Sequence, residues 1–333
     1  MDKSIAIIGC GIAGLSAAQA LVQAGFSVHL FDKSRGTGGR MSSKRSEGGS
    51  IDLGVQYFTA SDPRFVQAVR AWADKGWVSE WQPALFAWQA RQLSAVPHTS
   101  PWFVGTPRMS ALPRQLLGNI PVTFSTRITE VFRGLTDWHL LDAEGQTHGP
   151  FSRVIVSAPA AQAASLLSAS PSLASLAAGV QMDPVWSLAL AFSQSLATPI
   201  QACVVEGSPL AWVARNQVKP QRDNALDTWV LQANSAWTRQ HLSLSAEGIV
   251  PLLCEAFTHV LGAPLPEIAF SHAHRWLYAR PAEALQAVAL ADTDLGLYAC
   301  GDWCSASSVE GAWLSGFEVA QQLLRDAHSH QKI

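Results

Sequence analysis

The feature that most limits what this chain can fold into is six residues long. Gly9-Cys10-Gly11-Ile12-Ala13-Gly14 places three glycines at G-x-G-x-x-G spacing, between a β-branched run, Ser4–Ile8, and an Ala/Leu/Gln stretch, Ile12–Ala24. The run predicts a strand buried on both faces and the stretch a helix, with Ser27–Phe31 returning as a second strand. That order is β-α-β, the smallest parallel unit of a doubly wound sheet. Lacking Cβ atoms, the first glycine permits the tight turn, the second lets backbone approach a diphosphate, and the third lets helix and strand pack closely. The diphosphate would rest on the helix N-terminus, among free N–H groups and the positive end of the macrodipole. Asp32 ends the second strand and offers a carboxylate to ribose hydroxyls; its plainer alternative is to cap a loop turn.

With 333 residues, 48% hydrophobic and 14% charged, the chain can bury a large core and is long enough for two domains. A net charge of -2 supplies no basic field to draw nucleic acid or anionic lipid, so neither is expected as a partner. The apolar stretch from Ile5 to Val28 is broken by Gly9, Gly11, Gly14, Gln19, Gln23 and Gly25, which argues against a signal peptide or membrane anchor. Five cysteines, Cys10, Cys203, Cys254, Cys300 and Cys304, form an odd set without CxxC spacing. Buried thiols in a reducing cytoplasm are the expectation, with no metal site.

Beyond the opening unit, Lys33–Gly49 lacks apolar periodicity and predicts a long loop, and Pro63–Lys75 predicts a helix capped by Asp62. Strands are expected at Leu85–Gln89, Val122–Phe124 and Arg153–Ser157. A three-stranded antiparallel meander is expected over Ile128–Arg133, Trp138–Asp142 and Gln146–His148. The middle, Ala160 to Asp292, mixes Ala/Leu-rich helices with strands such as Val185–Phe192 and Thr228–Leu231. A strand (Leu297–Cys300), a loop (Gly301–Gly311) and a helix (Val309–Leu324) follow. The nucleotide domain is therefore expected to be discontinuous, 1–62, 104–160 and 293–333, with 63–103 and 161–292 forming a substrate domain.

Two further blocks accompany the glycine turn. Gly36-Thr37-Gly38-Gly39-Arg40-Met41 and Asp52-Leu53-Gly54-Val55-Gln56-Tyr57-Phe58 follow Asp32; Cys300-Gly301-Asp302-Trp303 and Val309-Glu310-Gly311-Ala312-Trp313-Leu314-Ser315-Gly316 stand near the end. This order resembles the amine oxidase superfamily of flavoproteins. The resemblance implies an α/β fold: an FAD-binding Rossmann-type domain of the glutathione-reductase/amine-oxidase kind plus a mixed α+β substrate domain with an antiparallel sheet. It also implies non-covalent FAD, since no cysteine occurs some forty residues before the Gly301-Asp302 pair, where monoamine oxidases attach flavin. Cofactor-binding roles are implied for Gly9, Gly11, Ile12, Ala13, Gly14, Asp32, Lys33, Gly39, Arg40, Met41, Gln56, Tyr57, Ile128, Asp302, Val309, Gly311 and Ala312. Among these, Arg40 would reach the pyrophosphate, although it is otherwise an ordinary surface arginine, and Asp302 would reach the ribityl hydroxyls. The amides at the start of the last helix would face the flavin pyrimidine.

Over Ile5 to about Leu324 the chain resembles the bacterial renalase branch, through Ala211-Trp212-Val213-Ala214-Arg215-Asn216-Gln217-Val218-Lys219-Pro220 and His274-Arg275-Trp276-Leu277-Tyr278-Ala279-Arg280-Pro281. That likeness implies oxidation of the 2- and 6-dihydro isomers of NAD(P)H to NAD(P)+, with O2 as final acceptor and hydrogen peroxide as product. The alternatives are an amine oxidase or desaturase, or a flavin-binding sensor without turnover. An amine oxidase often carries a lysine near flavin N5. Of six lysines only Lys75 and Lys219 fall in substrate-domain segments, and Lys219, before a proline, reads as a surface loop residue. Pocket candidates are Tyr57, Phe58, Thr59, Arg215, Asn216, His241, Trp276, Tyr278 and Trp313, each with a bland core or surface alternative. Arg275 and Arg280 could meet a substrate phosphate or serve structural ion pairs.

Overall fold

The computed structural model describes residues 4–46, 48–222, 225–287 and 289–329. The chain opens with β1 (Ser4–Ile8), α1 (Ile12–Gln23) and β2 (Ser27–Phe31), then a 3-10 turn over Gly39–Met41 and a hairpin, β3 (Ser43–Ser46) with β4 (Gly49–Asp52). Next come α2 (Pro63–Asp74), β5 (Val78–Glu80), β6 (Leu85–Gln89), β7 (Gln92–Ala95), β8 (Phe103–Gly105) and α3 (Ala111–Leu117). β9 (Val122–Thr123) precedes the meander β10 (Ile128–Arg133), β11 (Trp138–Asp142) and β12 (Thr147–Phe151), then β13 (Arg153–Val156), α4 (Ala160–Leu166) and α5 (Pro171–Gly179). The middle holds β14 (Met182–Phe192), β15 (Ala202–Val205), β16 (Leu210–Arg215), β17 (Asp227–Ala233), α6 (Ser235–Gln240), α7 (Ala246–Leu261) and β18 (Ile268–Pro281). β19 (Leu290–Asp292), β20 (Leu297–Ala299) and α8 (Val309–Ser329) complete the order.

A six-stranded sheet, β19-β20-β13-β1-β2-β9, is parallel except for the β19–β20 pair. Its central strand explains why the sequence there has no polar alternation. Ile5 and Ile7 face the core that holds α1 and α8, while Ala6 and Ile8 face a second core beneath the meander, α4 and α5. Both faces are covered, so every position of β1 is apolar except the first.

The second sheet, β18-β14-β17-β16-β15-β6-β7, is antiparallel apart from the β15–β6 pair. Alternation sorts its side chains. Trp186, Leu188, Leu190, Phe192, Val213, Trp229 and Leu231 pack beneath α7, whereas Ala189 and Val230 meet Ile51 and Leu53 of the hairpin region, and Trp212 and Ala214 join the first core. The second face therefore looks towards the glycine-rich motifs.

Three expectations change. Lys33–Gly49 is not all loop, because Ser43–Ser46 pairs with Gly49–Asp52 in register Lys44↔Ile51 and buries Ile51; one apolar anchor suffices where the other side chains are polar. The segment after 160 does not all belong with the substrate side: Ala163, Leu166, Leu173 and Ala177 of α4 and α5 pack against the six-stranded sheet, and β19 extends it. Likewise α2 sets Phe65, Val69 and Trp72 into the core shared by α1 and α8. Asp62 caps α2 as expected, its side chain accepting from the Arg64 amide.

Candidate functional site

The three glycine-bearing blocks meet. At Gly9, φ is +111° and an added Cβ would lie 2.4 Å from the Ser157 carbonyl oxygen; at Gly14 it would lie 2.1 Å from the Gly9 oxygen. Those two glycines are required by packing. Gly11 differs, since a Cβ there meets nothing within 4 Å, and α1 begins at Gly11 with no side-chain cap. The first turn of α1 thus presents open space and uncapped amides, which fit a diphosphate. Asp32 braces this turn, one oxygen accepting from Cys10 N and the other from Ser34 N, both at 2.7 Å.

The second block lies directly alongside: Gly38 N donates to the Cys10 carbonyl at 2.9 Å. Arg40 makes a bidentate pair with Asp302 at 2.6 and 2.7 Å and also donates to the Ala279 carbonyl. The arginine and the acid expected at pyrophosphate and ribityl are therefore adjacent, and Met41 is buried beside them in the chain. The third block closes on the first: a Cβ on Gly316 would come 2.0 Å from the Ala13 oxygen, so α8 lies almost backbone to backbone on α1. Ser315 Oγ accepts from Gly301 N, tying the Gly301-Asp302 turn to the same helix. Ile12, Val309 and Ala312 are buried at these helix starts, but the Gly311 amide is already capped by Ser308 Oγ at 2.9 Å. Lys33, Ser125, Thr126 and Arg127 help line a cleft of about 240 Å³ next in sequence to Asp32 and Ile128. Lys33 itself donates to Gln162.

Behind Gln56 lies a buried charge cluster. Asp52 accepts from Lys219 Nζ at 3.2 Å and Arg222 Nη2 at 2.7 Å, and all three side chains have zero exposure. Its other oxygen accepts from Ser43 Oγ and Met109 N. Burial alone would raise the Asp52 carboxyl, but the two cations overrule it and hold it well below the usual carboxylate range. Burial pushes Lys219 down to about 8, opposed by Asp52 and reinforced by Arg222. Lys219 also donates to Gln56 Oε1 at 3.0 Å, while Gln56 Nε2 donates to the Asp52 and Gly54 carbonyls. The expectation of a surface Lys219 is thus overturned: its ammonium is fully buried against Asp52, a carboxylate that compensates its charge.

Aromatic side chains gather next to this cluster, beginning with Tyr57, the neighbour of Gln56 in the chain. Tyr57 stacks on Trp102 with centroids 3.7 Å apart and has Trp212 at 5.5 Å; Trp81 flanks Trp102 and lies under Lys219. Trp81 and Trp212 are buried with indole N–H groups that have no partner. Trp276 abuts the same run, its ring 3.3 Å from where a Gly54 Cβ would stand. Thr59 and Tyr278 are half-buried.

Other pocket candidates serve packing. Phe58 is core beside Phe65, and Trp313 packs among Phe65, Trp72 and Phe317 where α2 meets α8. Arg215 is spent on a bidentate pair with Asp227 at 2.8 and 2.7 Å. Asn216 clamps β4, accepting from Asp52 N and donating to the Ser50 carbonyl. His241 ends α6, stacked on Trp237 and bonded to its carbonyl. Arg275 caps the Leu242 carbonyl over Trp186, and Arg280 sits 4.0 Å from Asp183. Asp52, Lys219, Arg222, Trp102 and Trp212 were missed as a group. The signals were Asp52 at the head of the run to Phe58, Trp212 and Lys219 together in the run from Ala211 to Pro220, and the rarity of lysine in the substrate-side segments.

A family model described as flavin containing amine oxidoreductase matches residues 84–324, and one described as NAD(P)-binding Rossmann-like domain matches residues 7–72. The chain belongs to the flavin-containing amine oxidoreductase family. As an oxidoreductase of that family it uses a flavin, and the open turn at Gly11 with the Arg40–Asp302 pair fits FAD. Among solved structures, one named as a protoporphyrinogen oxidase from Exiguobacterium sp. 255-15 superposes with a TM-score of 0.80 at 12% identity, covering 98% of this chain and 99% of that one. Putrescine oxidase bound to putrescine gives 0.71 at 13% identity, over 97% and 99%. At such identities the likeness speaks to fold alone. The 4,4'-diaponeurosporene oxygenase of Staphylococcus haemolyticus (strain JCSC1435) is 46% identical over 58 residues, 17% of this chain and 12% of that protein. Among the described residues no helix is long and apolar enough to cross a membrane, and no group of three or more His, Cys, Asp or Glu could hold a metal.

Proposed function

We propose that this oxidoreductase takes hydride from a dihydropyridine nucleotide, the 2- or 6-dihydro isomers of NAD(P)H. One observation carries the reading: the site's buried carboxylate, Asp52, is neutralised twice over, by Lys219 and by Arg222. The excess positive charge stands directly behind Gln56. An amine arrives as a cation and would be repelled there, whereas a dihydropyridine ring is neutral and the rest of the nucleotide is anionic. A bound flavin would supply the hydride acceptor, and O2 with two protons would take up the electron pair as hydrogen peroxide.

The residues then have a limited task. Loss of hydride from ring carbon 2 or 6 yields an aromatic pyridinium, so no side chain has to remove a proton. Tyr57, Trp102, Trp212 and Trp276 supply flat apolar walls that orient a ring and exclude water. Gln56, locked by the Asp52 and Gly54 carbonyls and by Lys219, keeps one wall at a constant distance. Burial holds the Cys10, Cys203 and Cys300 thiols up to about 12, so they stay neutral and unreactive, in keeping with non-covalent FAD.

A second reading has its own observation. Lys219, buried at Gln56 and pushed down to about 8, is the kind of lysine an amine oxidase or desaturase uses beside flavin. Anaerobic mixing decides between them. Rapid bleaching of the visible flavin band by 6-dihydro-NAD supports the proposal, whereas bleaching only by a primary amine or polyamine replaces it with the second reading. Bleaching by neither leaves a flavin-binding sensor.

A further inference from the structure

Alternation along β18 puts Phe270, His272, His274 and Trp276 on one face, opposite Arg275 and Ala273. The register against β14 confirms which face: His272 pairs with Ala189 and His274 with Ser187, and Ala189 packs on Ile51 while Ser187 Oγ bonds the Leu53 carbonyl. Lys44 arrives on the same face from the hairpin, because it lies directly across from Ile51 in the β3–β4 register. Three basic side chains are thus gathered at the edge of the seven-stranded sheet, where β18 has β14 as its one neighbour. All three are half-buried, and among the described residues none makes an ion pair or a side-chain hydrogen bond; His274 has a ring contact with Trp276 at 4.3 Å. Burial lowers both histidines, and each also feels Lys44. At neutral pH Lys44 then carries the charge while each neutral imidazole offers an N–H donor, and a half-buried ammonium and two donors without partners are costly unless an anion completes them.

We propose that Lys44, His272 and His274 form an anion subsite that holds the diphosphate of a pyridine dinucleotide. The placement rests on the hydride-transfer reading above. Trp276 borders Gly54, and the Ala279 carbonyl holds Arg40, so the far half of β18 runs past the cofactor motifs. His274 and His272 lie two and four residues back along the strand, roughly 7 and 13 Å. A ring at Trp276, joined through one ribose to its diphosphate, extends in that direction. Arg275 and Arg280, the arginines whose sequence position suggested phosphate contact, are engaged elsewhere.

The test compares anaerobic flavin reduction by 6-dihydro-NAD and by 6-dihydronicotinamide riboside, which has the ring and no phosphate. Purified wild-type flavoprotein should half-saturate with the dinucleotide at roughly tenfold lower concentration, and the Lys44→Met, His272→Gln double variant should lose most of that preference. An unchanged preference in the variant, at normal flavin content and melting temperature, would overturn the subsite. Should the variant fail to fold, calorimetric titration of the wild type with inorganic pyrophosphate replaces it: binding that competes with 6-dihydro-NAD supports the subsite, and absence of binding removes it. If neither dihydropyridine reduces the flavin, the hydride-transfer reading fails separately. Pyrophosphate bound by wild type and not by the variant then still upholds an anion subsite, though for a free phosphate rather than a tethered one.

Discussion

The two ends of the site are built by opposite means. The nucleotide end is made by omission: Gly9, Gly14 and Gly316 let backbones approach to distances that any Cβ would forbid, while Gly11 leaves room for a ligand. The far end is made by compensation, with Asp52, Lys219 and Arg222 buried together and Asp52 anchored to Ser43 and Met109. The glycines of the steric device stand in short local motifs, even where the backbone they admit is distant in the chain, as Ser157 is from Gly9 and Ala13 from Gly316. An electrostatic device needs partners more than 160 residues apart in the chain and exists once the fold has closed.

Substitutions separate the two. Gly14→Val should have the largest effect, since its Cβ would stand 2.1 Å from the Gly9 oxygen; we expect a loss well above ~3 kcal/mol and no yellow folded protein, read from flavin-to-protein absorbance and yield. Asp52→Asn should come next, leaving Lys219 and Arg222 buried without a counter-charge, at about 3–5 kcal/mol in chemical denaturation. Adding Lys219→Met to it should recover part of that loss; no recovery would mean that the cluster is not electrostatic. Gly11→Ala sharpens the contrast from the other side. It should melt near the wild-type temperature yet bind FAD roughly tenfold or more weakly, because its methyl enters only the open space.

The smaller effects depend on pH and on surface links. Lys219 is lowered from 10.5 to about 8 in the folded chain. Between those values the unfolded state binds more protons, so wild type should gain stability relative to Lys219→Met as pH rises from about 8 to 10.5. Melting curves of both proteins across that range check the sign. Glu310→Gln should cost least, under about 1 kcal/mol, although the Glu310 carboxylate accepts from Ser61 N, Ser61 Oγ and Asp62 N. Those partners lie near the surface, where water replaces what is lost.

Legibility followed the same division. The β-α-β unit, Asp32, the Asp62 cap, the meander and the last helix could be read because turn glycines, periodicity and caps are local signals. Lys219 was read as exposed because proline and polar neighbours do mark loops. Its burial is decided by Asp52, which no window around position 219 contains. Phe58 and Trp313 looked like pocket residues from motif position, yet α2 covers both; Arg215 looked free until β17 brought Asp227 against it. The packing of α4 and α5 on the six-stranded sheet was not legible, because Ala/Leu patterns state that a face is buried without stating against what.

The close seat of Gly316 on Ala13 also bears on biosynthesis. A ribosome delivers residue 13 long before residue 316, roughly tens of seconds earlier at ~5–20 residues per second. Through that interval the first helix lacks the last helix that lies against it at Ala13. The dinucleotide cradle is therefore complete only when synthesis has reached the final helix.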